Sequence, residues 1–348
     1  MPFARIDDKD TVFYYTDSGI PPNVPDYTTI VLIHGATING GIFEGMLPHA
    51  AKHGLRLLAL NMRGYNGSTP YTAEELAAFT DEDLAVQTNA LRGFGREFAG
   101  FLVYVCTVLG IPPTAVHAGE TRGGLAVLTW SLSTAGLFAM LGDPATLTPA
   151  QHTALAPYLH TAFAFDPPAC MYGVWPDIGL GSPLDDPAVP PADKAAAFGA
   201  WVSGYYTAVR AVGDITPEGL RARTDEEGRP PTLHTLAGDA AARIVEPDNL
   251  EASVAFLGVA PSVYAANFAR GLGDADAALP RVRVVALWCE RSIWLALWAA
   301  KEFAERVKDG PVPGGRLREA ALVQIEGANH CFQWDEPERL VRILRANV

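Results

Sequence analysis

The sequence predicts an α/β fold: a mostly parallel central sheet flanked by helices, interrupted by an inserted, mainly helical cap. Three observations carry this. Short continuous apolar runs alternate with longer segments of helical character, the pattern of parallel strands joined by crossover helices. The run LAVLTW at 125–130 passes directly into a small-residue helix start. The stretch 167–279 then breaks the alternation for far longer than an ordinary connection.

Taken in order, opening strands are expected at Phe3–Ile6 and Val12–Thr16. Thr29–Ile33 is a continuous, largely β-branched run, as a strand buried on both faces should be. Leu55–Asn61 is the next strand. Asp81–Leu109 is long enough for one or two helices and stops at Gly110 and Pro112–Pro113. Leu125–Trp130, Thr161–Phe165, Val282–Trp288 and Ala321–Ile325 complete the sheet, and Glu336–Ala346 suits a closing helix. The core is therefore expected over residues 1–166 and 280–348. The insertion, 167–279, should cover the sheet's carboxyl edge, where open α/β sheets bind ligands.

Composition narrows the function. The 348 residues carry 26 basic and 39 acidic side chains, a formal net charge of −13. That field repels phosphate backbones, so no nucleic-acid partner is expected. No window has the apolar length of a membrane span. The start MPFARIDDKD lacks a basic region followed by an apolar core, so no signal peptide is read and a soluble, cytoplasmic chain is expected. Cys106, Cys170, Cys289 and Cys331 are scattered singly. Neither a disulfide framework nor a metal site follows, and no cofactor is expected. Cys331 reads as a buried packing residue rather than a nucleophile. The composition leaves room for a homodimer.

The chemistry-bearing segments sit at strand ends. After Leu125–Trp130 comes Ser131-Leu132-Ser133, entering a helix of small and apolar residues. A serine nucleophile presented on a tight strand-to-helix turn needs small residues two before and two after it. Thr129 and Ser133 meet this for Ser131, and a frame shifted by two would make Ser133 the nucleophile. After Ala321–Ile325 comes Gly327-Ala328-Asn329-His330. Histidine is the natural base because its pKa lies near working pH. After Thr29–Ile33 comes His34-Gly35-Ala36. Acyl transfer needs two backbone N–H groups aimed at the developing oxyanion, and Ala36 and Leu132 are the candidates.

In this order the segments resemble the α/β-hydrolase superfamily over nearly the whole chain outside the cap. W-S-L at 130–132, followed by small residues, is similar to the family's G-W-S-L-G-G, with Thr129 and Ser133 where glycines are usual. Asn61-Met62-Arg63-Gly64-Tyr65-Asn66-Gly67-Ser68 resembles its R-G-x-G-x-S loop, where Arg63 should tether neighbouring loops. The DPP at 166–168 and W-C-E-R-S at 288–292 are similar to fungal members. The resemblance implies a Ser–His–acid triad. The family's common acid follows the penultimate strand, but Ser292 stands there. Asp166, after the preceding strand, is the first candidate and Glu290 the competitor; either carboxylate could orient His330.

The expected activity is hydrolysis of an ester or lactone of a medium-sized hydrophobic molecule through an acyl-enzyme on Ser131, with a place in secondary metabolism. Tyr172, Trp175, Trp201 and Tyr205 are candidate substrate contacts, although the helical spacing of Trp201 and Tyr205 also suits packing within the cap. No basic cluster flanks the motifs, which disfavours acyl-CoA or phosphorylated substrates. Two other readings stand beside this one. The first is another enzyme on the same fold: a C–C hydrolase, a thioesterase or a cyclising enzyme. The second is a non-catalytic ligand-binding relative. Epoxide hydrolases and dehalogenases need an aspartate where Ser131 stands.

Overall fold

The computed structural model describes residues 2–117, 119–236 and 238–348. The described residues form ten strands: β1 Phe3–Arg5, β2 Val12–Asp17, β3 Thr28–Ile33, β4 Leu55–Leu60, β5 Ala115–His117, β6 Glu120–Arg122, β7 Leu125–Trp130, β8 Leu159–Phe165, β9 Arg283–Cys289 and β10 Ala320–Ile325. Eight make one sheet in the order β1-β2-β4-β3-β7-β8-β9-β10. β1–β2 and β2–β4 pair antiparallel and the rest run parallel. Every residue of β3, β4 and β7 is buried, which is why these strands read as unbroken apolar runs rather than alternating ones. The pair β5–β6 stands apart as a small antiparallel hairpin that the sequence pattern did not announce.

Register decides what meets at the functional edge. Ile33 lies beside Thr129, Trp130 beside Phe165, Phe165 beside Leu287, and Cys289 beside Ile325. The residues that follow these strands therefore emerge together at one carboxyl edge. One apolar layer packs the helices Leu84–Thr107, Thr134–Gly142 and Trp294–Lys308 on one face of the sheet. The other face is covered by Gly40–His49 and Pro337–Ala346. The last helix buries Leu340, Val341 and Leu344 on a single stripe, the spacing of an amphipathic helix.

Between β8 and β9 the chain makes short helices, including Lys194–Val202, Pro217–Arg221 and Leu250–Leu257. Its final α-helix, Pro261–Gly273, lies against Thr134–Gly142 in the flanking layer, with Phe268 edge-on to Phe138. Arg318, just before β10, is 1 % exposed and ties this end of the insertion to the sheet. Its guanidinium donates to the carbonyls of Gly271, Leu279, Val282, Ala275 and Ala278.

Candidate active site

Ser131 sits at the turn between β7 and the helix Thr134–Gly142, with φ +59°. A left-handed conformation in a residue with a side chain is strained, and such strain gathers at functional turns. The following helix seats close to its neighbour because Gly136 carries no Cβ, which would stand 2.5 Å from the Phe98 ring. Ser131 lines a cavity of about 450 Å³. Ser133 is fully buried, and its hydroxyl donates to the Ile33 and Trp130 carbonyls. Of the two serines, Ser131 is the one that faces the cavity.

Asp166 follows β8, also at positive φ (+46°), and is fully buried. Its Oδ1 accepts the Cys289 N–H at 2.9 Å, and its Oδ2 accepts the Ser292 hydroxyl at 2.5 Å. The same Oδ2 lies 2.7 Å from His330 Nδ1. The imidazole is buried among protein groups; the Trp130 ring lies 5.0 Å away, and its indole N–H donates to the His330 carbonyl at 2.9 Å. Glu290 is equally buried but turned elsewhere. It accepts the Gly327 N–H at 2.7 Å and the Gln324 amide at 3.2 Å. The structure thus brings Asp166, and not Glu290, to His330.

The loop after β3 is built around a neutral histidine. His34 Nε2 accepts the Met62 N–H at 2.9 Å, which leaves Nδ1 as the donor to the Gly35 carbonyl at 2.8 Å. Full burial pushes the His34 imidazole down to about 4, against an ordinary 6.5. Tyr65 adds its hydroxyl to the Gly35 carbonyl at 3.4 Å and accepts the Thr37 N–H at 2.8 Å. With that carbonyl held, the Ala36 N–H points the opposite way across the trans peptide. Gly35 itself approaches Ser131 so closely that a Cβ there would lie 2.9 Å from the serine's own. Ala36 and Leu132 both line the cavity beside Ser131. Leu132 is in the first helical turn, whose amides lack intrahelical acceptors.

Arg63 lies outside this cavity. It is bidentate to Glu75, reaches Glu97 at 3.0 Å and lies 4.2 Å over the Tyr71 ring, tying its loop to two helices. Cys331 is fully buried, and burial raises its thiol well above the ordinary range, so it offers no thiolate.

Of the four aromatic candidates, Trp175 and Trp201 line the cavity, joined by Phe198, Val202, Leu257 and Ile293. Tyr172 and Tyr205 do not. Tyr172 stacks on Phe268 at 3.9 Å and 6°, where burying two rings against each other outweighs facing the site. Tyr205 turns its hydroxyl to Asp335 and its ring under Arg229. Asp185 is the one charged side chain among the described lining residues. Two other surface clefts, one beside Arg281 and Arg283 and one beside Asn39 and Asn61, do not adjoin Ser131. Among the described residues no three His, Cys, Asp or Glu side chains converge as a metal site, and no single helix is long and apolar enough to cross a membrane.

Two contributors carry no readable signal in the sequence. Tyr65 lies in a loop whose glycines dominate the pattern. Ser292 stands in the sequence only as the wrong residue for a triad acid.

A family model described as the alpha/beta hydrolase fold matches residues 28–97. Among solved structures, the esterase EaEST from Exiguobacterium antarcticum superposes with a TM-score of 0.56 at 13% identity, over 99% of this chain and 98% of that one. Est816, an N-acyl homoserine lactone degrading enzyme, gives 0.53 at 17% identity over 100% of both chains. A bromoperoxidase from Bacillus anthracis gives 0.53 at 14% identity over 99% of both. No curated protein matches the sequence.

Proposed function

The chain has the α/β-hydrolase fold, and on that basis we propose that it is a serine hydrolase of neutral, medium-sized hydrophobic esters or lactones. One observation carries this reading: the 2.7 Å His330–Asp166 contact lies at the same strand edge where strained Ser131 meets an apolar cavity. In the proposed reaction Ser131 Oγ attacks the substrate carbonyl and passes its proton to His330 Nε2. Asp166 holds Nδ1–H and stabilises the imidazolium. The Ala36 and Leu132 amides receive the oxyanion. Collapse expels the alcohol, which takes the proton from His330. Water then attacks the acyl-Ser131 ester with the same base and releases the acid. For a lactone, the alcohol and acid stay in one molecule.

A volume of about 450 Å³ suits a small ligand. The lone carboxylate of Asp185 and the absence of basic lining among the described residues disfavour anionic substrates. The test is a fluorophosphonate probe followed by mass spectrometry of the labelled peptide. The label is expected on Ser131 and absent in Ser131→Ala. A label on Ser133, or near-normal ester turnover by Ser131→Ala, overturns the reading.

A further inference from the structure

The loop that carries His330 is held by the insertion as well as by its own strand. Asn329 is fully buried, and its amide donates to the Ser203 carbonyl at 2.7 Å and to Thr232 Oγ1 at 2.9 Å. Its oxygen accepts the Cys331 N–H at 3.0 Å, so one carboxamide spans His330. Further along, Asp335 Oδ2 accepts the hydroxyls of Tyr205 and Thr232, each at 2.5 Å. Thr232 therefore works in both directions, accepting from Asn329 and donating to Asp335. Its own N–H donates to the Ser203 carbonyl at 2.9 Å. Arg229, 3.7 Å over the Tyr205 ring, also reaches the Gly327 carbonyl at 3.4 Å.

Resting on the assignment of His330 as general base, we infer that Tyr205 and Thr232 are positioning residues: they set the place of the imidazole through Asp335 and Asn329. The hydroxyl and amide donors of this network all have acceptors, and a buried network of that kind is rigid when complete and costly when broken. Its location gives it a second consequence. The helix Lys194–Val202 puts Phe198, Trp201 and Val202 into the cavity and ends immediately before Ser203. One short segment thus lines the cavity and carries the histidine's support, so cavity filling and base placement are coupled.

The test compares Tyr205→Phe, Thr232→Val and Thr232→Ser with a neighbouring control, Tyr206→Phe, whose hydroxyl serves only the Trp201 carbonyl. On an activated ester, the first two are expected to lose about tenfold in kcat, as for one hydrogen bond to a charged group, with KM within about twofold. Their combination should lose less than the product, because both hydroxyls serve one Asp335 oxygen. Thr232→Ser and Tyr206→Phe should behave as wild type. Nitrogen-15 spectra of the His330 imidazole, assigned by their loss in His330→Asn, give a readout that needs no turnover. They should shift in Tyr205→Phe and Thr232→Val alone. A rise in KM with unchanged kcat, or unmoved His330 signals, overturns the inference. Shifted His330 signals in a protein that hydrolyses no ester would uphold the positioning and overturn the hydrolase reading instead.

Discussion

Ser292 donates its hydroxyl to Asp166 Oδ2 across 2.5 Å, and that same oxygen faces His330. The hydroxyl stands in the turn after β9, where α/β-hydrolases commonly keep an aspartate, and it serves a carboxylate that follows the neighbouring strand β8. The two positions are adjacent because β8 and β9 pair in parallel, with Phe165 beside Leu287. A carboxylate can therefore come from either strand and reach one imidazole.

Asp166→Asn keeps the side chain's shape but removes the charge that orients and stabilises the imidazole. In a Ser-His-Asp site of another fold this change lowers kcat about 10⁴-fold. Comparable loss is expected here, while Glu290→Gln, whose partners are Gly327 and Gln324, should stay substantially active. Steady-state kinetics on one activated ester decide it, and the reverse ranking would move the acid to Glu290.

Exchanging the two positions makes a sharper test. Ser292→Ala should lower kcat by about tenfold, the worth of one hydrogen bond to a charged acceptor. The double variant Asp166→Ser with Ser292→Asp is expected to recover at least about tenfold over Asp166→Ser alone, because the carboxylate returns to the same neighbourhood. No recovery in a folded double variant would mean that Asp166 acts through its strained backbone position and not through its charge alone.

Acid should destabilise the fold through two neutral imidazoles. Burial pushes both His34 and His160 down to about 4, against 6.5 for an ordinary imidazole. The unfolded chain binds those protons first, so stability is fully present above pH 6.5 and falls as pH drops toward 4. Glu97 acts oppositely: burial raises its carboxyl to about 7, outweighing the lowering by the Arg63 charge and by the hydrogen bonds from Arg63 and Tyr71. That contribution is present at pH 4.5 and lost as pH rises through 7. Urea titrations at pH 4.5, 5.5 and 7 should show His160→Asn flattening the acid loss and Glu97→Gln flattening the neutral one. Unchanged slopes would refute the assignment.

Arg318→Met should be strongly destabilising without touching the site. Removing the guanidinium strands several buried carbonyls that now share one donor group. A loss of about 3–5 kcal/mol is expected, or roughly 5–10 °C in Tm. Calorimetry measures it, and residual kcat at low temperature should be near normal. A Tm within a degree or two of wild type would contradict the role.

Much of the sheet was readable because β3, β4 and β7 are buried on both faces and so leave unbroken apolar runs. The hairpin Ala115–His117 with Glu120–Arg122 left no such trace, since Glu120–Arg122 is polar throughout and offers no apolar run to mark it. Choosing between Asp166 and Glu290 was beyond the sequence for a different reason. Both sit at the ends of neighbouring strands, and which one reaches His330 depends on where each side chain turns after its strand. Tyr172 and Tyr205 show the same limit: spacing marks an aromatic as inward, but packing partners decide which interior it enters.

The 2.9 Å clearance at Gly35 has a consequence for how this site can change. Even a methyl group there would displace Ser131, so the β3 side of the cavity is closed to variation. The opposite wall is made of side chains from the insertion, Phe198, Trp201, Val202 and Leu257, which can be resized without moving the serine. New substrate preferences, whether selected in a laboratory or by drift, should therefore accumulate on the insertion wall and leave residues 34–36 untouched.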